Sequence, residues 1–459
     1  MAQSKDILLQ RIRSGGALSL GEQIRLCVLL SYPAILAQLS SVLMQYIDTS
    51  MVGHLGAAQG ASIGLVSTCL WLWGGFCFAA SSGFSVQVAH LIGANDFKSA
   101  RSVLRQALTV TLAFSAVLAV VGAVVSPVLP YWLGGGPDIA PDAAKYFLIM
   151  ALFMPAMQLD WMCAAMLQAS GNMKVPSLLS IGMCVLDVIF NYLFIYVLDM
   201  GVVGAALGSG LAEVITAIAM FSFLTLKSPE MRLTQEKGSF RPTEKVLKKA
   251  LNIGGPMAFQ NLLLRGGYIA ATVIVAPLGT IAIAANSFAI TAESLCYMPG
   301  AGIADASTTL VGQSVGAGRK ELATRFAWIT AFLAMGIMGF LAILMYLFAP
   351  QMMGLLSPDA AVIDLGARVL RIEAFAEVGY AAAMVIYGAC VGAGDTKVPS
   401  VMNFGSMWVV RIIPAIFITR IYGLVGFWVC MAVELSFRGL LFVIRLYRGT
   451  WLKKVETVI

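Results

Sequence analysis

The stretch SGNMKVPS at residues 170–177 returns 223 residues later as AGDTKVPS at residues 393–400. The same offset joins Pro33 to Pro256, Leu55-Gly56 to Leu278-Gly279, Gly93-Ala94 to Gly316-Ala317 and Pro127 to Pro350. A register held without a gap over that length marks a duplicated unit, because a shared taste for apolar residues would not fix the spacing. Around these landmarks lie twelve apolar runs, near 24–51, 61–90, 102–126, 144–169, 175–198 and 202–226, then 250–277, 282–310, 324–349, 366–391, 398–420 and 424–446. Each is long enough for the roughly 20 helical residues that cross a bilayer. Of the 459 residues 59% are hydrophobic and only 12% charged, against about 25% charged in a soluble domain. Lipid is therefore the expected solvent.

The sequence thus predicts an all-α integral membrane protein of twelve transmembrane helices in two six-helix bundles. Six spans is an even number, so both halves enter from the same side and a pseudo-two-fold axis along the membrane normal relates them. The expected divisions are a cytoplasmic N-terminal segment 1–23, an N-terminal lobe 24–226, a cytoplasmic linker 227–249, a C-terminal lobe 250–446 and a cytoplasmic tail 447–459. Orientation follows from the basic residues, 23 of the 30 falling on one set of alternate loops, with seven in the linker from Lys227 to Lys249. By the positive-inside rule those loops and both termini are cytoplasmic. The first 23 residues contain no continuous apolar core like that of a secretory signal, so the first span is expected to target the chain to the inner membrane. The net charge of +7 does not suggest nucleic acid, since the cations sit between apolar runs rather than on one face of a soluble domain. The eight cysteines lie inside apolar runs with no C-x-x-C pair and read as small buried hydrophobes.

Ionisable groups inside the membrane cost at least about 2.5–3.5 kcal/mol each and call for a partner or a function. In the first half, Asp48 lies near the outer end of span 1, Asp187 and Asn191 stand four apart on span 5, and Ser209 lies about two turns into span 6. All four fall at similar depth in the outer half of the bilayer, and that half has no mid-membrane Lys or Arg. Two acids, an amide and a hydroxyl make an oxygen-rich set suited to a proton or to a hard cation such as Na+, with Asp48, Asp187 and Asn191 as the metal ligands. Asp160 and Glu213 lie deeper in the same half; either could extend a proton path, though a structural hydrogen bond is the simpler reading. The second half reads as self-compensating, with Arg265 matched in depth to Glu293, Arg411 to Glu373 and Glu377, and Glu434 to Arg438 at i,i+4. These charges are expected to form a C-lobe polar network or to border a substrate cavity, where Glu293 or Glu377 would attract a cationic solute. The aromatic group Trp71, Trp73, Phe76 and Phe78 and the methionines Met154, Met157, Met162 and Met166 are more simply packing residues than a binding surface.

Two like-oriented bundles favour a carrier over a channel. MQYIDTSMVGHLG (44–56), LIGANDFKSAR (91–101), LVGQSVGAGRKELATR (310–325) and the paired KVPS motifs resemble the multidrug and toxic compound extrusion family in its DinF-like bacterial branch. The likeness runs from about residue 20 to 447. It implies a secondary active antiporter that exports amphipathic, often cationic organic compounds in exchange for H+ or Na+. It implies alternating access of two lobes, no cofactor, and function as a monomer whose partners are a small organic substrate and the bilayer. Asp48 falls on the family's first-span aspartate and Ser209 where a Thr commonly stands. Asp187 and Asn191 occupy positions commonly Asn and, in some members, Asp. The glutamate that the NorM-like branch carries on span 7 is absent near Leu264, which argues against C-lobe coupling of that type.

The main alternative is a flippase for a lipid-linked saccharide in the same broader superfamily, whose cavity should hold unpaired cations for pyrophosphate. GANDFKSARS does not resemble the basic loop motif of major-facilitator carriers. An enzyme is not expected: His54 and His90 are the only histidines, and neither belongs to a catalytic or H-E-x-x-H pattern.

Overall fold

The computed structural model describes residues 2–53, 55 and 57–452. His54, Gly56 of the repeated Leu-Gly pair, and the expected tail beyond residue 452 lie outside the described residues. Every regular element among them is helical. A short helix α1 (Ala2–Arg13) precedes α2 (Leu20–Gly53), whose start is set by Ser19 and Glu22. The Ser19 amide donates to Glu22 Oε2 at 2.9 Å and the Glu22 amide to Ser19 Oγ at 3.3 Å, a reciprocal capping pair. Then follow α3 (Ala57–Gly93), α4 (Phe97–Val125), the single turn α5 (Leu129–Trp132), α6 (Ala140–Leu152), α7 (Met154–Ala169), α8 (Lys174–Asn191) and α9 (Gly201–Ser222). The second half comprises α10 (Glu244–Val275), α11 (Thr280–Gly316), α12 (Lys320–Leu356), α13 (Ala360–Ala374), α14 (Glu377–Gly392), α15 (Lys397–Gly405) and α16 (Ile413–Arg448).

These helices make the twelve expected spans. Eight of the helices from α2 to α12 each cross alone, α8 and α9 continuing into short π-helical ends. The pairs α6/α7 and α13/α14 are single spans bent by 45° and 57°. The stretch Lys397–Arg448 is 52 residues long, about 78 Å of helix, twice what a bilayer needs. It divides at Gly423, whose φ of +61° and ψ of −147° a side chain would not tolerate. Large apolar side chains face outward along the spans, including Val117, Val120 and Val124 of α4 and Phe340, Ile343 and Leu347 of α12. A surface of this kind belongs in lipid.

The helices pack as two compact units, Ser40–Ala258 and Met1–Leu39 with Phe259–Ile459. The sequence boundaries, drawn at loops, do not anticipate this grouping. The first part of α2 belongs with the C-terminal spans, and the first part of α10, with the linker, belongs with the N-terminal spans. Both helices carry an internal proline, Pro33 and Pro256, close to the changeover. Glycines make the close approaches. Within the first unit a Cβ on Gly254 would lie 2.6 Å from the Ala79 carbonyl oxygen, and one on Gly83 2.5 Å from that of Ala250. Within the second, a Cβ on Gly302 would lie 2.6 Å from the Ile35 nitrogen. In both units the opening span of one half is thus docked on the second span of the other.

The linker is held in the first unit. Arg101, 6% exposed, donates to Gln235 Oε1 and Glu236 Oε1, each at 3.1 Å. Arg105, 4% exposed, donates to the carbonyls of Leu233 and Glu236. The motif GANDFKSAR therefore supplies a clamp for the linker as well as a helix start, where Asp96 caps α4 by accepting from the Ser99 amide at 3.0 Å.

Candidate functional site

Within the first unit, α2, α8 and α9 bring the four expected residues together. Asn191 is central: its Nδ2 donates to Asp48 Oδ1 and to Asp187 Oδ2, each at 3.1 Å. The two carboxyl groups are themselves in hydrogen-bonding contact, and the Ser209 hydroxyl reaches Asp187. Asp187 and Asn191 are buried to 2% exposure, whereas Asp48 is half-buried. Two carboxyl groups in contact cannot both remain bare anions; a proton or a metal cation must stand between them. The buried Asn191 Oδ1 makes no hydrogen bond and lies on the side of Gly208 of α9.

Two further residues shape this site and were not singled out from the sequence. Gly208 lies where α9 crosses α8, and a Cβ there would collide with Asn191 Oδ1 and approach its backbone nitrogen at 3.0 Å. The spacing Gly201, Gly204, Gly208 is the small-residue signal that could have found it. Tyr146 of α6 lies within the electrostatic reach of both Asp48 and Asp187. At the end of the unit away from the linker, a cavity of about 580 Å³ opens beside the last turn of α2, lined by Gln59, Asp142, Lys145, Tyr196 and Asp199. Its lining begins at Leu55, seven residues beyond Asp48.

Deeper in the unit, Asp160 of α7 and Glu213 of α9 are 5% and 9% exposed. One carboxyl oxygen of each has no hydrogen-bond partner, so the simple structural role expected for them is incomplete. Glu213 lies within the electrostatic reach of both Asp160 and Asp187.

In the second unit the expected pairing changes. Arg411 donates to Glu434, from Nη2 at 2.7 Å and Nε at 3.1 Å, and not to Glu373 or Glu377. Arg438 bonds the other oxygen of the same Glu434 at 2.7 Å, and the Ser406 hydroxyl donates to it as well. The physical reason is local. Residues Ser406–Ile412 form a wide π-helical turn that aims Arg411 at α16, and matching depth fixes height in the bilayer but not direction around the helix. Glu373 and Glu377 are left fully buried; neither carboxyl oxygen of Glu373 has a hydrogen-bond partner, and Glu377 meets only the Cys296 thiol. Glu293, 6% exposed, lies near both. The Arg265 guanidinium stands 5.8 Å from the centre of the Tyr268 ring, and it and Glu293 are both within the electrostatic reach of Tyr297. Asp305 of α11, bonded to Gln38, is a membrane carboxyl that the sequence reading passed over. Of the side groups read as packing, Met154, Met162 and Met166 are fully buried and Trp73 meets Phe147 edge-on at 5.3 Å.

The model of the MatE family matches residues 33–193 and 256–417, one copy in each half. The chain is 26% identical over 434 residues to a probable multidrug resistance protein NorM of Thermotoga maritima, covering 93% of this chain and 92% of that protein. It is 27% identical over 448 residues to the corresponding protein of Xanthomonas axonopodis pv. citri, covering 95% and 96%. Among solved structures, a MOP superfamily transporter from Pyrococcus furiosus superposes with a TM-score of 0.89 at 20% identity, covering 97% of this chain and 98% of that one. A MATE protein solved in complex with MaD3S gives 0.89 at 21% identity, covering 97% and 99%. These structures share the fold. With the family model spanning both halves of the repeat, the chain belongs to the MatE family, the multidrug and toxic compound extrusion transporters.

Proposed function

We propose that this protein exports amphipathic, often cationic organic molecules in exchange for H+ or Na+, and that Asp48, Asp187, Asn191 and Ser209 form its ion-coupling site. The contact between the Asp48 and Asp187 carboxyls, bridged by Asn191, carries the reading. An uncompensated acid pair in hydrocarbon is stable only when neutralised, so proton or Na+ binding is built into the lobe's energetics. An ion that binds more tightly in one arrangement of the lobe than in the other shifts the balance between them. Ions entering from outside through the cavity at Asp142 and Asp199 would thereby drive the solute outward by alternating access. The protein acts as a monomer in the inner membrane, with both termini cytoplasmic.

A second place for a cation is favoured by the partnerless oxygens of Glu373, close to Glu377 and Glu293. Saccharide flipping is disfavoured, because Arg411 and Arg438 are both engaged in ion pairs with Glu434 rather than left unpaired for pyrophosphate. The test is transport by purified protein in proteoliposomes under imposed Na+ or pH gradients, with a panel of cationic dyes. Dye movement against its own gradient is expected under at least one ion gradient. Translocation of a lipid-linked saccharide with no gradient-driven dye movement would overturn the reading.

A further inference from the structure

In the second unit, the turn between α1 and α2, the first residues of α2 and the start of α12 enclose a cavity of about 520 Å³. Leu18 and Gln23 line one side, and Arg319, Lys320, Glu321 and Arg325 the other. The chain reaches α12 through Gly318, whose φ of +73° lets it reverse within three residues of the end of α11. Arg319 then stands at the N-cap of α12 but gives that helix no side-chain bond. Its guanidinium serves α1 instead, Nη1 donating to the carbonyls of Arg11 at 3.1 Å and Gly16 at 2.9 Å. Leu8, Leu9 and Ile12 of α1 are buried, so these bonds pin a helix that is already packed. Both walls of the cavity are thus held in place.

The lining carries three cations to one acid. Lys320 and Arg325 are exposed and form no ion pair among the described residues. Glu22, the other acid at this end of α2, is taken by Arg11 at 2.8 Å. Cations gathered in so small a space repel one another unless an anion lies between them, and the start of a 37-residue helix adds the positive end of its dipole. Gln23 supplies an independent sign of a ligand. It is 1% exposed, its Nε2 donates to the Leu18 carbonyl at 2.9 Å, and its Oε1 has no hydrogen-bond partner. A buried amide oxygen calls for a donor. An anion that carries a hydroxyl answers both walls at once.

The surfaces beside the cavity indicate where that anion comes from. Leu20, Ile24 and Val28 form an exposed apolar stripe along α2, and Phe332 of α12 is exposed two turns past Arg325, stacked on Trp328 at 5.5 Å. Such stripes face lipid, and a tryptophan near a span's end marks headgroup depth. A soluble anion would leave them unused, whereas two acyl chains would cover them. The orientation proposed above makes this the cytoplasmic leaflet, where basic pockets between spans hold acidic headgroups. We propose that the cavity is the headgroup site of one anionic phospholipid of the phosphatidylglycerol class. Its phosphodiester lies between Lys320 and Arg325, a glycerol hydroxyl donates to Gln23 Oε1, and its acyl chains run along Leu20, Ile24 and Val28 and along Phe332. The bound lipid staples the start of α2 to the start of α12.

Native mass spectrometry of the full-length, delipidated protein in detergent tests this, with dioleoyl phosphatidylglycerol titrated against the phosphatidylethanolamine, phosphatidylcholine and phosphatidylmethanol of the same chains. Wild type should bind one phosphatidylglycerol ahead of the two zwitterionic lipids. It should also prefer phosphatidylglycerol to phosphatidylmethanol, an anionic diester with no hydroxyl for Gln23. Joint replacement of Lys320→Gln and Arg325→Gln should weaken phosphatidylglycerol binding about thirtyfold. Both side chains are exposed, so the lipid-free double variant should unfold at the wild-type temperature. Equal affinity in wild type and double variant, or tighter binding of either zwitterionic lipid, would overturn the site. Equal binding of phosphatidylmethanol would overturn the role given to Gln23, and displacement of the lipid by millimolar inorganic phosphate would reassign the cavity to a soluble anion. Binding is read without an ion gradient or a dye, so it stands or falls separately from the efflux reading.

Discussion

Replacing Glu434 by Gln should destabilise the second unit more than any other single change within the membrane. Glu434 is fully buried and is the shared counter-ion of Arg411 and Arg438, whose side chains are 8% and 11% exposed. Glutamine keeps the shape but removes the charge and turns one acceptor into an NH2 group that faces a guanidinium. Breaking a buried ion pair by removing one partner costs about 3–5 kcal/mol, because a desolvated charge is stranded. Here two cations are stranded at once, although Arg438 retains some access to polar surroundings, so the loss should lie at the upper part of that range. The assay is thermal unfolding of detergent-purified protein followed by size-exclusion elution after heating. A triple replacement, Glu434→Leu with Arg411→Met and Arg438→Met, should recover most of the loss, since an apolar set of similar volume leaves no stranded charge. A thermal midpoint for Glu434→Gln equal to that of wild type would refute the reasoning.

Gly208→Ala should cost about 1–3 kcal/mol by overpacking α9 against Asn191 and should reduce ion-driven transport along with thermal stability; normal coupling in this variant would show that Asn191 need not hold its place. Asp187→Asn should weaken gradient-driven efflux less completely than loss of Asp48, because one titratable group of the pair remains; equal loss in both would show that the two acids act only together. Arg105→Ala removes charge-assisted bonds worth about 1.5–3 kcal/mol each and should make the linker around Leu233 at least tenfold more sensitive to limited proteolysis, a change that unaltered cleavage kinetics would contradict. A cysteine placed at Lys237 should react with an impermeant maleimide in inside-out vesicles and stay unlabelled in intact cells; labelling from outside would reverse the assigned orientation.

The spans and the duplication were legible because lipid enforces a length and a composition on every crossing helix, and the 223-residue register survives in loops as well as helices. The outer site was legible for a similar reason. Asp187 and Asn191 share a face by spacing alone, and depth could be counted from the helix ends to Asp48 and Ser209. What depth could not supply was direction around the helix axis. Arg411 was matched to Glu373 and Glu377 by height, but a wide turn at 406–412 points it to Glu434 instead. The grouping of residues 1–39 with the C-terminal spans was hidden because α2 runs unbroken through the changeover, so no loop or composition shift marks it. Gly208 was lost among 45 glycines, since nothing local separates a glycine under a neighbour's side chain from one facing lipid. Asp305 was overlooked in a run of small residues, where its partner Gln38 lies far away in sequence.

The central claim is that neutralisation of the Asp48–Asp187 pair couples ion entry to export. The most direct measurement is efflux of a cationic dye from proteoliposomes by Asp48→Asn, under whichever imposed ion gradient drives wild type. The asparagine keeps the shape and the hydrogen-bonding reach of the side chain but can neither take up a proton nor neutralise a metal ion. The account predicts a folded variant that still binds the dye and lets it equilibrate, with gradient-driven accumulation abolished. Full gradient-dependent efflux by Asp48→Asn would contradict the account and move the coupling site to Glu293, Glu373 and Glu377.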